Sequence, residues 1–177
     1  MPSNFYPICT LSMQEVNSLK ERLILVKRLK PIILLTSEGS LTRAVEYLTG
    51  NKVYITKLAR SNFQTGCEHR KIRCIWMETS LYTRLVFARS LWITLFNYNF
   101  KKTIKDNTPI GETFINQRTD IDKNIHELYY GYYSTSQNQS QINKPLWGRK
   151  YTLYYKSSYY ITIQEFLLPE LTNYLIR

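Results

Sequence analysis

Cysteine and histidine are scarce in this 177-residue chain, with 3 and 2 copies. Cys9, Cys67 and Cys74 are odd in number and form no C-x-x-C pair, which excludes a disulfide framework and points to a reducing compartment. Structural zinc needs about four ligands, typically paired at short spacing. Cys67 with His69 is the only compact group, so no metal ligand set is expected. Glycine and proline, at 6 each, are too few for a fibrous or low-complexity chain. The longest apolar runs, residues 31–35 (PIILL) and 91–96 (LWITLF), fall far short of the ~20 residues of a membrane span. The opening MPSNFYPICT has neither the charged n-region and apolar h-region of a signal peptide nor the Arg-rich, Ser-rich pattern of an import sequence. The expectation is a protein that works where it is made.

Acidic residues are also few, 13 against 24 Lys and Arg, which leaves a formal charge of +11. With 15 Tyr, such an excess suits a nucleic-acid partner, because cations recruit phosphate and aromatics stack on bases. The cations, however, are dispersed from Lys20 to Arg177 with no run longer than pairs such as Lys101 and Lys102, and no nucleic-acid module motif is present. A solvated basic surface and no nucleic-acid partner are expected. Hydrophobic residues make up 44% and aromatics 14%, incompatible with wholesale disorder. At this length roughly 70% of the unfolded surface can be buried, so residues 1–177 are read as one globular domain. Ile, Asn, Lys and Tyr are abundant, and their AT-rich codons point to an AT-biased genome such as an organelle's.

Ser12 and Glu15 have capping-box spacing and are followed by Val16, Leu19, Leu23, Val26 and Leu29, which predicts a helix over about 12–30. Ser40, then Leu41, Ala44, Val45 and Leu48, then Gly50, predicts a second, short helix. β-Branched and aromatic residues predict paired strands over Lys52–Arg60 and Arg70–Glu78, with 61–68 between them. Leu81, Leu85, Ala88, Trp92, Leu95 and Phe96 predict a helix over about 81–97. Thr108 to Gly111 reads as a turn, Ile125–Tyr133 as strand or helix, and Ser134–Asn143 as a polar loop. Trp147–Lys156 and Tyr159–Leu168, around Ser157 and Ser158, read as an antiparallel hairpin. The order suggests α+β: an antiparallel sheet with helices on one face or at its ends.

Side chains alternate faces along a strand, so parity exposes charges set in apolar stripes. Glu165 interrupts the row Tyr159, Ile161, Ile163, Leu167; Arg73 shares a face with Ile75 and Met77; Arg149 shares one with Trp147, Tyr151, Leu153 and Tyr155. An unpaired buried charge is costly, so such groups pair internally, snorkel, or meet a ligand. Two readings follow. Arg73 and Glu165 form an internal ion pair, or they mark the two ends of an apolar pocket for a small carboxylate-bearing ring, since a guanidinium grips a carboxylate bidentately.

Residues 70–77 (RKIRCIWM), 108–111 (TPIG), 146–149 (LWGR) and 163–169 (IQEFLLP) resemble, in order and spacing, the motifs of the chorismate lyase (chorismate pyruvate-lyase) family, especially its cyanobacterial and algal-plastid branch. The resemblance covers about residues 30–170, leaving 1–29 as an N-terminal helical region. It implies a six-stranded antiparallel sheet flanked by helices and conversion of chorismate to 4-hydroxybenzoate and pyruvate without cofactor. By the same resemblance Arg73 binds the ring carboxylate, Glu165 meets the 4-oxygen, and Leu41 and Ile110 close over the ring. Elimination of the enolpyruvyl ether aromatises the ring, so orientation and assistance to departing charge are the main requirements. Glu165, its proton affinity raised by an apolar setting, would act as an acid, or would steer polarity if ionised. Chorismate carries a second carboxylate; Arg149 is one candidate partner, and the alternative is a hairpin-stabilising arginine stacked on an aromatic ring. The resemblance also implies a plastid stromal setting if the gene is organellar, cytoplasmic otherwise, with the product feeding plastoquinone synthesis. A non-catalytic binder of small aromatic acids on the same fold is the competing reading. Oligomeric state is not legible.

Overall fold

The computed structural model describes residues 5–16, 18, 30–65, 68–80, 83–95, 108–116, 118, 120–133, 144–155 and 159–176. The strands are β1 (Phe5–Ser12), β2 (Val53–Thr65), β3 (Glu68–Thr79), β4 (Arg84–Leu95), β5 (Asp122–Tyr133), β6 (Lys144–Tyr155) and β7 (Tyr159–Leu167). The helices are α1 (Lys30–Thr36), α2 (Leu41–Thr49), α3 (Ile110–Asn116) and α4 (Pro169–Ile176), besides a helical turn at residues 13–16. All strand pairings are antiparallel, in one seven-stranded sheet of order β1-β5-β6-β7-β4-β3-β2. The α+β expectation holds, with one strand more than the resemblance implied. Residues 5–12, inside the 1–29 region expected to be helical, form the edge strand β1 instead.

Local signals explain several elements. The Ser12 backbone N–H donates to Glu15 Oε2 at 2.7 Å and the Glu15 N–H to Ser12 Oγ at 3.3 Å, a reciprocal capping box. The rest of the helix expected over 12–30 lies mostly outside the described residues, and Lys30 already begins α1. Gly50 ends α2 with φ 66°, its N–H returning to the Glu46 carbonyl, a conformation glycine adopts without Cβ strain. Of residues 61–68, expected to separate two strands, 61–65 and 68 instead extend the long β2–β3 pairing, and 66–67 lie outside the described residues. The 147–168 hairpin forms as expected; its turn, like the polar 134–143 loop, is outside the described residues.

The helix expected over 81–97 is corrected: residues 84–95 are the strand β4. Leu85, Val86, Phe87 and Ala88 are all buried, because β4 lies inside the sheet with apolar layers on both faces. A strand buried on both faces loses its alternation, and its apolar run then imitates helical spacing.

The two faces carry separate cores. On one, Trp76, Phe87, Tyr129, Leu146, Phe166 and Leu168 cluster. On the other, Met77, Ile75, Val86, Ala88, Ile163 and Leu167 meet Leu34 and Leu35 of α1, Leu41 and Val45 of α2, Phe114 of α3 and Leu171 of α4. Register orders this helix-covered face into transverse rows. One runs Leu128, Arg149, Glu165, Ala88, Ile75; the next Ile125, Tyr151, Ile163, Ser90, Arg73; the third Lys123, Leu153, Ile161, Trp92, Lys71. A bulge between Ile125 and Glu127 lets Lys123 and Ile125 share a face with Leu128 despite opposite parity.

Gly148 permits the tight β6–β7 approach at this point. A Cβ there would lie 2.7 Å from the Glu165 carbonyl oxygen and 2.7 Å from Phe166 Cδ1. Gly148→Ala is expected to destabilise by about 1–3 kcal/mol through forced strand separation, read as a lower urea midpoint at unchanged slope.

Candidate functional site

A cavity of about 310 Å³ lies between the helix-covered face of the sheet and the segments that open α2 and α3. Its floor is Arg73, Ile75, Met77, Ala88, Ser90, Tyr151, Leu153, Ile163 and Glu165, from four strands. Its cover is Glu38 to Thr42 with Pro109, Ile110, Gly111, Phe114 and Ile115, and Asp120, Ile121 and Lys123 complete one side. That volume sits at the lower end of the roughly 300–1,000 Å³ typical of small-molecule sites, a fit for a single ring.

The four residues assigned to the ring by the resemblance, Leu41, Arg73, Ile110 and Glu165, all line this one cavity. Leu41 is buried at the first turn of α2 and Ile110 is half-buried at the first turn of α3. Arg73 is 2% exposed and donates from Nη2 to the Thr108 carbonyl at 3.0 Å, tying β3 to the turn before α3. Glu165 is 4% exposed in the centre of the floor. Arg73 stands two strands away from it on β3; at 4.7–4.9 Å per strand, their backbones are separated by about 10 Å across the sheet.

Glu165 is the carboxylate half of a buried ion pair with Arg149. Arg149 Nε donates to Oε2 at 2.7 Å, and the Tyr151 hydroxyl donates to Oε1 at 2.9 Å. Arg149 Nη1 donates to the carbonyls of Leu35, at 3.0 Å, and Ser37, at 3.1 Å. The guanidinium carbon lies 4.9 Å from the Tyr151 ring centre. Arg149 is therefore the stacked, structural arginine of the two readings, and it is absent from the cavity lining. Glu165 faces the cavity with Arg149 behind it, in a setting that is hydrogen-bonded and not merely apolar.

Burial alone would pull the Arg149 pKa down, but the charges of Glu165 and Tyr151 and the Glu165 hydrogen bond outweigh it and hold it above its ordinary value. Burial, reinforced by Glu165, pushes the Tyr151 hydroxyl well above the phenol range. It thus remains a donor at neutral pH. Neither Tyr151 nor Lys123 was singled out from the sequence. Tyr151 shares the parity of Arg149 but passes for an ordinary apolar-face aromatic. Lys123 precedes the run Ile125–Tyr133, which reads as strand or helix, and reaches the cavity only because of the bulge.

Lys123 Nζ donates to the carbonyls of Ser37, at 2.9 Å, and Glu38, at 3.4 Å, and lies 4.8 Å from the Tyr151 ring centre. Burial, then the nearby Arg149 charge, pushes it down from 10.5 to about 8, against the opposing pull of Glu165 and Glu38. Among the described residues no group of three or more His, Cys, Asp or Glu could hold a metal ion, and no helix is long and apolar enough to cross a membrane.

A family profile described as "Chorismate pyruvate-lyase Rv2949c-like" matches residues 35–175. "Uncharacterized protein ycf21" of Antithamnion sp. is 32% identical over 172 residues, covering 97% of this chain and 94% of that protein. Proteins of the same name from Porphyra purpurea and Pyropia yezoensis are 31% and 30% identical, each over 80% of this chain and 82% of their own.

Removing one partner of a buried ion pair leaves the other uncompensated, so Arg149→Met should cost about 3–5 kcal/mol in chemical denaturation. Replacing both, as Arg149→Met with Glu165→Leu, should cost less than the single change. Lys123 has a lower pKa folded than unfolded, so between about 8 and 10.5 the unfolded chain binds more protons and folding is favoured as pH rises. The stability of the wild type relative to Lys123→Met should therefore increase across that window in parallel urea titrations.

Proposed function

The chain belongs to the Rv2949c-like chorismate pyruvate-lyase family, and from that premise we propose that it is itself a chorismate lyase, releasing 4-hydroxybenzoate and pyruvate. The observation that carries this reading is the placement of Arg73 and Glu165, both nearly fully buried, in the floor of one ring-sized cavity.

Chorismate is a cyclohexadiene bearing a ring carboxylate, a hydroxyl para to it and an enolpyruvyl ether beside that hydroxyl. Elimination breaks the ring carbon–ether oxygen bond and removes the proton from the hydroxyl-bearing carbon. The ring becomes aromatic, and the departing enolpyruvate takes up a proton to become pyruvate. The atoms balance without oxidant or co-reactant.

Arg73 clamps the ring carboxylate, its orientation set by the Thr108 carbonyl. Glu165 accepts from the para hydroxyl, while Arg149 and Tyr151 hold its carboxylate in place. Ile75, Ile163, Leu41 and Ile110 supply an apolar enclosure that excludes water and strengthens these polar contacts. The chemistry needs orientation more than a strong acid or base, because aromatisation itself supplies driving force. In this reading the protein works in the plastid stroma and its product is the ring precursor of a prenylquinone, plastoquinone in particular. The algal relatives named ycf21 support the plastid location.

Purified protein given chorismate should release 4-hydroxybenzoate and pyruvate in equal amounts. Arg73→Ala and Glu165→Gln should each lower kcat/KM by at least about 100-fold, the scale of losing one positioned polar group. Wild-type protein that binds 4-hydroxybenzoate without turning over chorismate would instead be a binder of aromatic acids.

A further inference from the structure

We propose that Lys123 is the second cation of this site, the group that receives the carboxylate on the substrate's three-carbon arm, making the cavity selective for a dicarboxylate over the monocarboxylate product. The inference rests on the lyase reading for the identity of the arm. Its structural basis is independent of turnover.

Arg73 and Lys123 lie on opposite sides of Glu165, on β3 and β5, each two strands from β7. They also stand in different transverse rows, so the cations and the carboxylate form a bent line along the cavity floor and wall. A ring held by Arg73 with its para hydroxyl on Glu165 directs a substituent on the neighbouring carbon toward one side of Glu165. An arm turned toward β5 meets Lys123.

Lys123 is suited to an anion for three reasons. An ammonium has three donors, and two are engaged by the carbonyls of Ser37 and Glu38. Those two contacts and the Tyr151 ring fix the direction of the remaining donor. The ammonium is partly stripped of water without a carboxylate hydrogen bond among its described contacts, so an arriving carboxylate offsets a cost already incurred in folding. Arg149 cannot take this part, since its Nε and Nη1 serve Glu165 and two carbonyls away from the cavity lining.

The consequence is directional release. While the ether is intact, both cations grip one molecule. Once the bond breaks, the ring acid keeps only Arg73, pyruvate keeps only Lys123 beneath the 37–40 rim, and each fragment binds more weakly than the whole.

The test is calorimetric binding of two probes, 3-(carboxymethoxy)-4-hydroxybenzoate as a dicarboxylate that cannot eliminate and 4-hydroxybenzoate as the monocarboxylate. Lys123→Met should weaken the dicarboxylate at least tenfold and leave 4-hydroxybenzoate within threefold, and Lys123→Arg should restore most of the loss. In turnover the same change should raise KM for chorismate with kcat altered less than threefold. Equal weakening of both probes would reduce Lys123 to a clamp on the 37–38 segment and overturn the proposal, as would no effect on either. Should Lys123→Met not fold, Lys123→Gln replaces it, and a wild type that binds the dicarboxylate no better than the monocarboxylate also overturns the proposal. A selective Lys123 effect in a wild type without turnover would sink the lyase reading while leaving the second cation standing; turnover with an unchanged KM would do the reverse.

Discussion

The buried pair of Arg149 and Glu165 is the constraint on which the site depends. Two charges taken out of water cost several kcal/mol each unless their hydrogen-bonding capacity is met. Here Arg149 serves Glu165 and the carbonyls of Leu35 and Ser37, while Tyr151 serves the other Glu165 oxygen. These bonds join β6 and β7 to the end of α1 and to the segment that leads into α2. The same interaction that compensates the charges therefore sets the height of the cover above the floor. Gly148, one residue before Arg149, lets the two strands approach closely enough for the pair to form.

With Glu165 anchored from behind, its cavity-facing side is positioned before any ligand arrives. Arg73 is held in a comparable way by the Thr108 carbonyl, so the two polar ends of the cavity are tied to the two segments that cover it. Between them the surface is largely aliphatic, with Ser90 a polar member beside Arg73. Such an arrangement places the organising energy in the folded protein and leaves little to be reorganised during reaction. The excess of basic residues over the whole chain plays a different part: dispersed on the surface, it provides at most a field that attracts an anion.

Period-2 alternation was enough to single out Arg73, Arg149 and Glu165, because a charge inside an apolar stripe is visible without knowing what faces it. The same logic failed where alternation was lost. Leu85 to Ala88 within β4 are buried on both faces, since β4 is covered on each side, and a run without polar alternation carries no parity to read. Lys123 was hidden by the bulge in β5, which shifts the parity of everything before it. The internal pairing that parity offers Glu165 is with Arg73; the structure instead shows Arg149, directly opposite on β6, and that choice depends on strand order.

The sequence by itself determined the α+β class, the hairpin of β6 and β7, the short helix from Leu41 and the unusual positions of three charges. These follow from interactions between residues close in the chain or from periodicity along one strand. Only the tertiary structure decided that β7 lies between β6 and β4, that Arg149 supports Glu165 from outside the cavity, and that Lys123 enters its wall. The reason is that hydrogen bonds between strands, and carbonyls such as Leu35 and Ser37, join residues more than a hundred positions apart. No local pattern encodes which of the available partners a buried charge will meet.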